Sequence, residues 1–484
     1  MLNDSHVAVF QQEKMSYPET PPFHPPKSYP ECPFEGKFDS ENTVYDSIRN
    51  LLLYLRMDRQ NYGSRYWNPL KSVINKGDIV LIKPNMIAHS HRHSDAWEHV
   101  ITHGSILRAA TDYVFLALGG EGRIIIADAP QTDSKVDLIK KRMCIEYIQD
   151  FYWTTKKFEI EFIDLRNESW IEEEGIYLDT IKLPGDPLGN VIINLGKKSF
   201  LAEHDGKGKH YYGAFYDIDE TNQHHTDGVH EYLVSKTAIE CDAFISLPKL
   251  KTHKKVGMTL NLKGLVGING DKNWLPHFAL GAPEEGGDQF SNKKIAQKLE
   301  NSIVLKAKKL LLNKNKLTQK LAVKLKSFGY YLFGDTEEVI RSGNWYGNDT
   351  CWRMTLDLNR ILLYGSIDGK MENRLKKYFS IVDGIIGMEG NGPVAGNPKP
   401  AGMIIAGRNP LAVDMVCTKI MGFDYQKIPM LSRAFDAKTY KLANFQPDDI
   451  VVSSNIPNIE GKIFKEKICL NLKFQPHFGW SGHV

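Results

Sequence analysis

Asp78-Ile-Val-Leu-Ile-Lys83 is the stretch on which the fold turns. Four apolar residues, three of them β-branched, follow Lys76-Gly77 and stop at a lysine. A short unbroken apolar run of this kind reads as a strand buried on both faces. Ser105 to Leu118 then carries a helical pattern, with Thr102 as its expected N-cap and Gly119-Gly120 as its stop. Arg123-Ile-Ile-Ile-Ala-Asp128 repeats the strand pattern, a helix is expected over 134–151, and Phe158 to Ile163 alternates as a further strand. Upstream, Val44, Ile48, Leu51, Leu52 and Leu55 recur at helical spacing. Downstream, the apolar runs Ala243–Leu247, Phe379–Asp383 and Gly402–Ala406 read as strands. Strands alternating with helices predict an α/β fold: a mostly parallel sheet core with helices on both faces, plus an inserted helical segment. Ligands of such sheets bind beyond the carboxyl ends of the strands, where Lys83 and Asp128 stand.

Four regions follow along the chain. Residues 1–40 hold seven prolines between Pro18 and Pro33 and read as an extended arm. Residues 41–282 form a first α/β region, 283–345 a lysine-dense helical insertion, and 346–484 a second α/β region. In that last region Asn348 and Asp349 read as cap residues of a helix on which Arg353, Asp357 and Arg360 are spaced to pair.

The 484 residues are 42% hydrophobic and 25% charged, ordinary globular values that exclude collagen, coiled coil and wholesale disorder. A net charge of +3 gives no compositional case for nucleic acid. The six cysteines are scattered without a CxxC pair, which predicts free thiols and a cytoplasmic setting. The polar N-terminus does not read as a secretory signal, and no apolar run approaches the length of a bilayer span.

The chemistry concentrates in two blocks. In Leu247-Pro-Lys-Leu-Lys-Thr-His-Lys-Lys255 and its continuation to Gly264, five lysines and one histidine fall between Lys249 and Lys263. No aspartate or glutamate occurs from Ala243 to Gly270. A strand-end loop of that balance creates a positive field suited to phosphate or carboxylate oxygens. Lys249 and Thr252 are expected to bind the anion, and Lys251, His253 and Lys263 to supply acid–base chemistry, because a lysine buried among lysines loses its proton readily. The second block, Asp383-Gly-Ile-Ile-Gly-Met-Glu-Gly-Asn-Gly-Pro393, puts six glycines into residues 384–402. Gly390, Asn391 and Gly392 are expected to turn backbone N–H groups toward an anion. Asp383 and Glu389, with Asp414, are expected to hold a divalent metal such as magnesium. The histidines His89, His91 and His93 read as a surface loop in preference to a metal site.

Ile82-Lys-Pro-Asn85, the lysine–threonine–histidine block with Leu262-Lys-Gly264, the glycine block, and Val413-Asp414 after Asn409-Pro410 resemble, in matching order, the family called domain of unknown function 362. The resemblance spans most of residues 75–425. It implies an α/β core in which Lys83, Asn85, Asp128, Lys249, Lys251, His253, Lys263, Asp383, Glu389 and Asp414 line one cleft. Many members carry ferredoxin-like cysteine clusters; this sequence has none, so an iron–sulfur cluster is not expected.

Two readings stand open. One is an enzyme acting on a small phosphorylated or carboxylated metabolite, with transfer, isomerisation and hydrolysis all open. The other is a non-catalytic protein that holds an anionic ligand or cofactor. Nucleic acid and membrane are not expected partners.

Overall fold

The computed structural model describes all residues except 13, 35, 174–175, 205–209, 214–217, 295–336 and 466–470. The core of the expected insertion, 295–336, therefore lies outside the described residues; Pro283–Glu285, at its start, is a single 3-10 turn.

Ten strands form the central sheet: β1 (His6–Gln11), β2 (Ile79–Pro84), β3 (Arg123–Asp128), β4 (Ile160–Asp164), β5 (Ala243–Leu247), β6 (Lys249–His253), β7 (Gly257–Met258), β8 (Lys377–Glu389), β9 (Asn397–Gly407) and β10 (Val451–Ser454). Their order is β10-β1-β9-β8-β5-β2-β3-β4, with β6 joined to β8 and β7 to β6. The run β8-β5-β2-β3-β4 is parallel throughout, whereas β9 is antiparallel to both β8 and β1. This is the α/β fold that the alternating pattern predicts. Strands from 41–282 and from 346–484 share the sheet, and β1, from the proline-rich segment, lies inside it between β9 and β10.

Successive side chains of a strand point to opposite faces, so a run such as 79–84 must be covered twice. Val80 and Ile82 pack into one apolar core and Leu81 into another. The first core is completed by the helices α1 (Thr43–Tyr54), α2 (Gly104–Leu118), α3 (Val136–Arg142) and α4 (Ile145–Lys156). The second is completed by α5 (Leu260–Gly264), α6 (Cys351–Tyr364) and α7 (Pro410–Met421). On α7, Asn409 caps the N-terminus through Ala412 N at 3.1 Å, Pro410 opens the helix and Gly422 closes it in the left-handed region.

Three local expectations are corrected. His103, not Thr102, caps α2: its Nδ1 accepts from Ser105 N at 3.1 Å. The Thr102 hydroxyl is already engaged, donating to Leu247 O at 2.6 Å and accepting from Asn85 N at 2.9 Å. The helix expected over 134–151 is two, broken at Cys144, whose φ of 54° no helix can carry. On α6, Arg353 pairs back to Asp349 at 3.1 Å rather than forward to Asp357, which instead takes Arg360 at 3.1 Å.

Candidate functional site

The two chemical blocks meet. Pro248 interrupts the chain after β5, and β6 then continues alongside β8 in parallel, Lys249 opposite Asp383 and Lys251 opposite Met388. Beyond the strands, Lys254 N donates to Gly392 O at 3.1 Å and the Thr252 hydroxyl to Gly390 O at 2.9 Å.

Much of this junction is internal framework. Lys249 and Asp383 are both fully buried and form an ion pair at 2.9 Å. The Tyr17 hydroxyl donates to Asp383 Oδ1 at 2.6 Å and accepts from Lys249 Nζ at 2.7 Å. His103 N donates to the second carboxylate oxygen at 3.0 Å, and its ring stacks on Tyr17 at 4.0 Å. Burial lowers the Lys249 pKa against the opposing pull of Asp383. Lys251 is also fully buried: its ammonium donates to Val100 O at 2.8 Å, Pro393 O at 3.3 Å and Asn85 Oδ1 at 3.4 Å. Burial, reinforced by Lys249, pulls its pKa well down. Because it ties β6 to the loops after β2 and β8, Lys251→Met is expected to destabilise the fold by about 1–3 kcal/mol, through carbonyls left unpaired. Urea denaturation checks this; an unchanged midpoint would make the three contacts incidental.

The glycine block is corrected in kind. Residues 384–389 belong to β8 and 397–402 to β9, so the block is mostly paired strand, a β-hairpin with its tip at 390–396, rather than one open loop. Gly392 is required by close approach, since a Cβ there would stand 2.2 Å from Thr252 O. The Asn391 amide donates to Glu337 O at 3.2 Å.

The open space lies beside this junction. A cavity of about 430 Å³ sits at the carboxyl ends of β2, β3 and β6. Lys83, Asn85, Asp128, His253 and Lys263, all named from the sequence, line it. Lys254 and Lys255, counted in the basic block but given no separate role, join them, as do Lys272 and His277, which lie beyond that block. Of the other expected residues, Lys249, Lys251, Thr252, Asp383, Glu389, Asp414 and the glycine-block tip 390–392 are not in the lining. The three carboxylates expected to share a metal do not converge. Asp383 is held by Lys249. Asp414 accepts from Asn261 N at 3.0 Å, Asn261 Nδ2 at 2.8 Å and Leu262 N at 2.8 Å. Glu389 pairs with Lys399 at 3.1 Å. Among the described residues no group of three or more His, Cys, Asp or Glu is arranged to hold a metal ion.

Each cavity lysine is set differently. Lys83 pairs with Asp128 at 2.8 Å. Asp128 is fixed in turn by Met86 N and Ala129 N, both at 2.9 Å. Lys272 donates to Val266 O at 2.8 Å and Asn269 O at 3.0 Å, and burial pulls its pKa to about 7. Lys255 donates to Ser342 O and lies 4.6 Å over the Phe278 ring; burial, then Lys254, bring its pKa to about 7. Lys263 is 7% exposed, and its ammonium has no hydrogen-bond or ion-pair partner among the described residues. Burial, with Lys83 nearby, lowers its pKa.

Hydrogen bonds assign the tautomers of the two histidines. His253 Nδ1 accepts from Lys255 N at 3.1 Å, so in the neutral ring the proton sits on Nε2. His277 Nδ1 lies 2.8 Å from Leu275 O and must donate to it, so its Nε2 carries the lone pair. Burial, followed by the field of Lys263, holds both pKa values well below 6.5 and both rings neutral at pH 7.

Residues 205–419 match the model of a family described as domain of unknown function (DUF362). This stretch, under half of the chain, is similar to that family. It confirms the resemblance over the basic block, the glycine hairpin and α7, and it contains His253, Lys255, Lys263, Lys272 and His277; Lys83 and Asp128 precede it. Over 207 residues the chain is 27% identical to a thylakoid-associated protein of Synechocystis sp.. That alignment covers 43% of this chain and 41% of the relative, so this chain spans well under half of the relative's length. Among the described residues, no helix is long and apolar enough to cross a membrane.

Proposed function

We propose that the cavity binds a small phosphorylated or carboxylated metabolite and that the protein is an enzyme acting on it. The observation that carries the reading is the lining itself. Six lysine and arginine side chains face one space with two carboxylates, one of which, Asp128, is already paired with Lys83. Cations gathered in one cleft focus such a field on an anion. The carboxylates expected to hold a divalent cation are engaged elsewhere, so the reading assigns the anion to the lysines. His253, offering an N–H, and His277, offering a lone pair, then flank the bound group as donor and base. The five cysteines among the described residues are free, which supports a reducing, cytoplasmic setting.

Titration with sulfate tests this, since sulfate stays a dianion across the neutral range. Lys255 and Lys272 are cations below about pH 7 and neutral above it. Sulfate affinity is therefore expected to be greatest near pH 6 and to fall as pH rises through 7, by about tenfold for each ammonium discharged, or ~1.5 kcal/mol. Lys272→Met is expected to weaken binding by a similar factor and to flatten the pH profile. Calorimetry that shows no sulfate binding at pH 6 would sink the anion pocket.

A further inference from the structure

We infer that Lys263 is a covalent nucleophile, and that the ligand of this cavity is an anion bearing a ketone or aldehyde, which Lys263 captures as an imine. The inference rests on the anion-pocket reading and names the substrate class that the pocket takes. It starts from a contrast among the buried lysines. Lys83 has Asp128, Lys249 has Asp383 and Tyr17, Lys251 has Val100 O, Lys255 has Ser342 O, and Lys272 has Val266 O. Each is held as a donor by an oxygen within reach. Lys263 alone of these buried lysines lines the cavity with no such oxygen among the described residues, while other cations crowd the same space. An amine desolvated beside like charges is favoured in its neutral, nucleophilic form, which is the requirement for attack on a carbonyl.

The surroundings fit the reaction. Gly264, next in the chain and also in the lining, has nothing within 4 Å of where a Cβ would be, so room for a carbonyl carbon exists beside the lysine. The lone pair of Lys263 Nζ adds to that carbon and a C–N bond forms. His277 Nε2 takes a proton from the nitrogen and passes it to the former carbonyl oxygen, giving a carbinolamine. The C–O bond then breaks, the second nitrogen proton leaves with the hydroxyl as water, and an imine remains. No oxidant or reductant is needed. The His253 Nε2–H donates a hydrogen bond to the oxygen throughout, and Lys83 and Lys272 take the distal carboxylate or phosphate.

The test is reductive trapping on the full chain. Pyruvate and dihydroxyacetone phosphate are each added with sodium borohydride, which delivers hydride to an imine carbon and leaves a stable secondary amine. The digest is then mapped by mass spectrometry. A single adduct on the peptide carrying Lys263, suppressed by excess sulfate and lost in Lys263→Arg, is the expected result. Circular dichroism of that variant shows whether it folds, and the adduct's position in the unaltered protein needs no variant. Labelling confined to other lysines, or unchanged in a folded Lys263→Arg protein, overturns the inference. If sulfate binds but neither carbonyl compound reaches Lys263, the imine fails and the anion pocket stands. If Lys263 is labelled in a protein that binds no sulfate, the pocket reading fails instead.

Discussion

Asp383→Ala is expected to remove about 3–5 kcal/mol of unfolding free energy, because it strands a fully buried ammonium. Besides Ile385 N on its own strand, the carboxylate takes donors from three other parts of the chain: Lys249 of β6, Tyr17 of the N-terminal segment, and the backbone of His103 at the start of α2. Removing it leaves Lys249, at 0% exposure, with the Tyr17 hydroxyl as its remaining hydrogen-bond partner among the described residues and only the more distant Glu98 as counter-charge. Tyr17→Phe deletes one hydroxyl from the same network and is expected to cost about 1 kcal/mol. The double replacement Lys249→Met with Asp383→Leu should recover a large part of the loss, since an apolar pair of similar volume often matches a buried ion pair. Urea midpoints at constant m-value measure all three. A loss below about 1 kcal/mol for Asp383→Ala would mean that water or rearrangement reaches Lys249, and the network would not then anchor the stretch around Tyr17, which follows β1. Limited proteolysis near Tyr17 offers a separate reading of that anchor, with faster cleavage expected in the alanine variant.

The fold was legible wherever burial leaves its periodicity on the chain. Val80, Leu81 and Ile82 are apolar in succession because each face of β2 meets a different core, and the expectation of helices on both faces follows from that alone. The strand-end positions of Lys83 and Asp128 followed in turn, and both line the cavity. Hydrogen-bond partners were less legible. A threonine before a helix looks like a cap, but Thr102 is turned to Leu247 O by tertiary contact, and a histidine ring does the capping. Asp383, Glu389 and Asp414 looked like metal ligands because a carboxylate's type is visible in sequence and its partner is not. Lys272 and His277 were missed for a narrower reason. The acid-free window ends at Gly270, and both residues lie just past it on the continuation of the same segment. Extending the window by seven residues would have caught them. Tyr17 left no such trace, since a tyrosine in a proline-rich arm says nothing of a carboxylate 366 residues away.

Gly267→Ala is expected to disable the cavity from its floor. The constraint is space rather than backbone angle: a Cβ at Gly267 would lie 1.9 Å from Asp128 Oδ1 and 2.7 Å from Lys83 Nζ. Neither atom can retreat freely. Asp128 is fixed by Met86 N and Ala129 N, and Lys83 Nζ by Asp128 itself. Gly267 cannot withdraw either, because its carbonyl accepts from Ala129 N at 2.8 Å. The added methyl must therefore prise Lys83 from Asp128 or push α5 and the turn after it outward. Overpacking of this kind costs about 1–3 kcal/mol of stability. Displacement of Lys83 also removes one charge-assisted contact to a bound anion, so sulfate affinity should fall at least about tenfold. Gly264→Ala supplies the contrast within the same segment. With nothing within 4 Å of its Cβ, it should change stability by less than about 0.5 kcal/mol, as an uncrowded substitution does. Thermal denaturation and sulfate titration of the two variants side by side separate the effects. Equal stability of the two proteins would show that Lys83 and Asp128 part without cost, and that their ion pair does not shape the cavity.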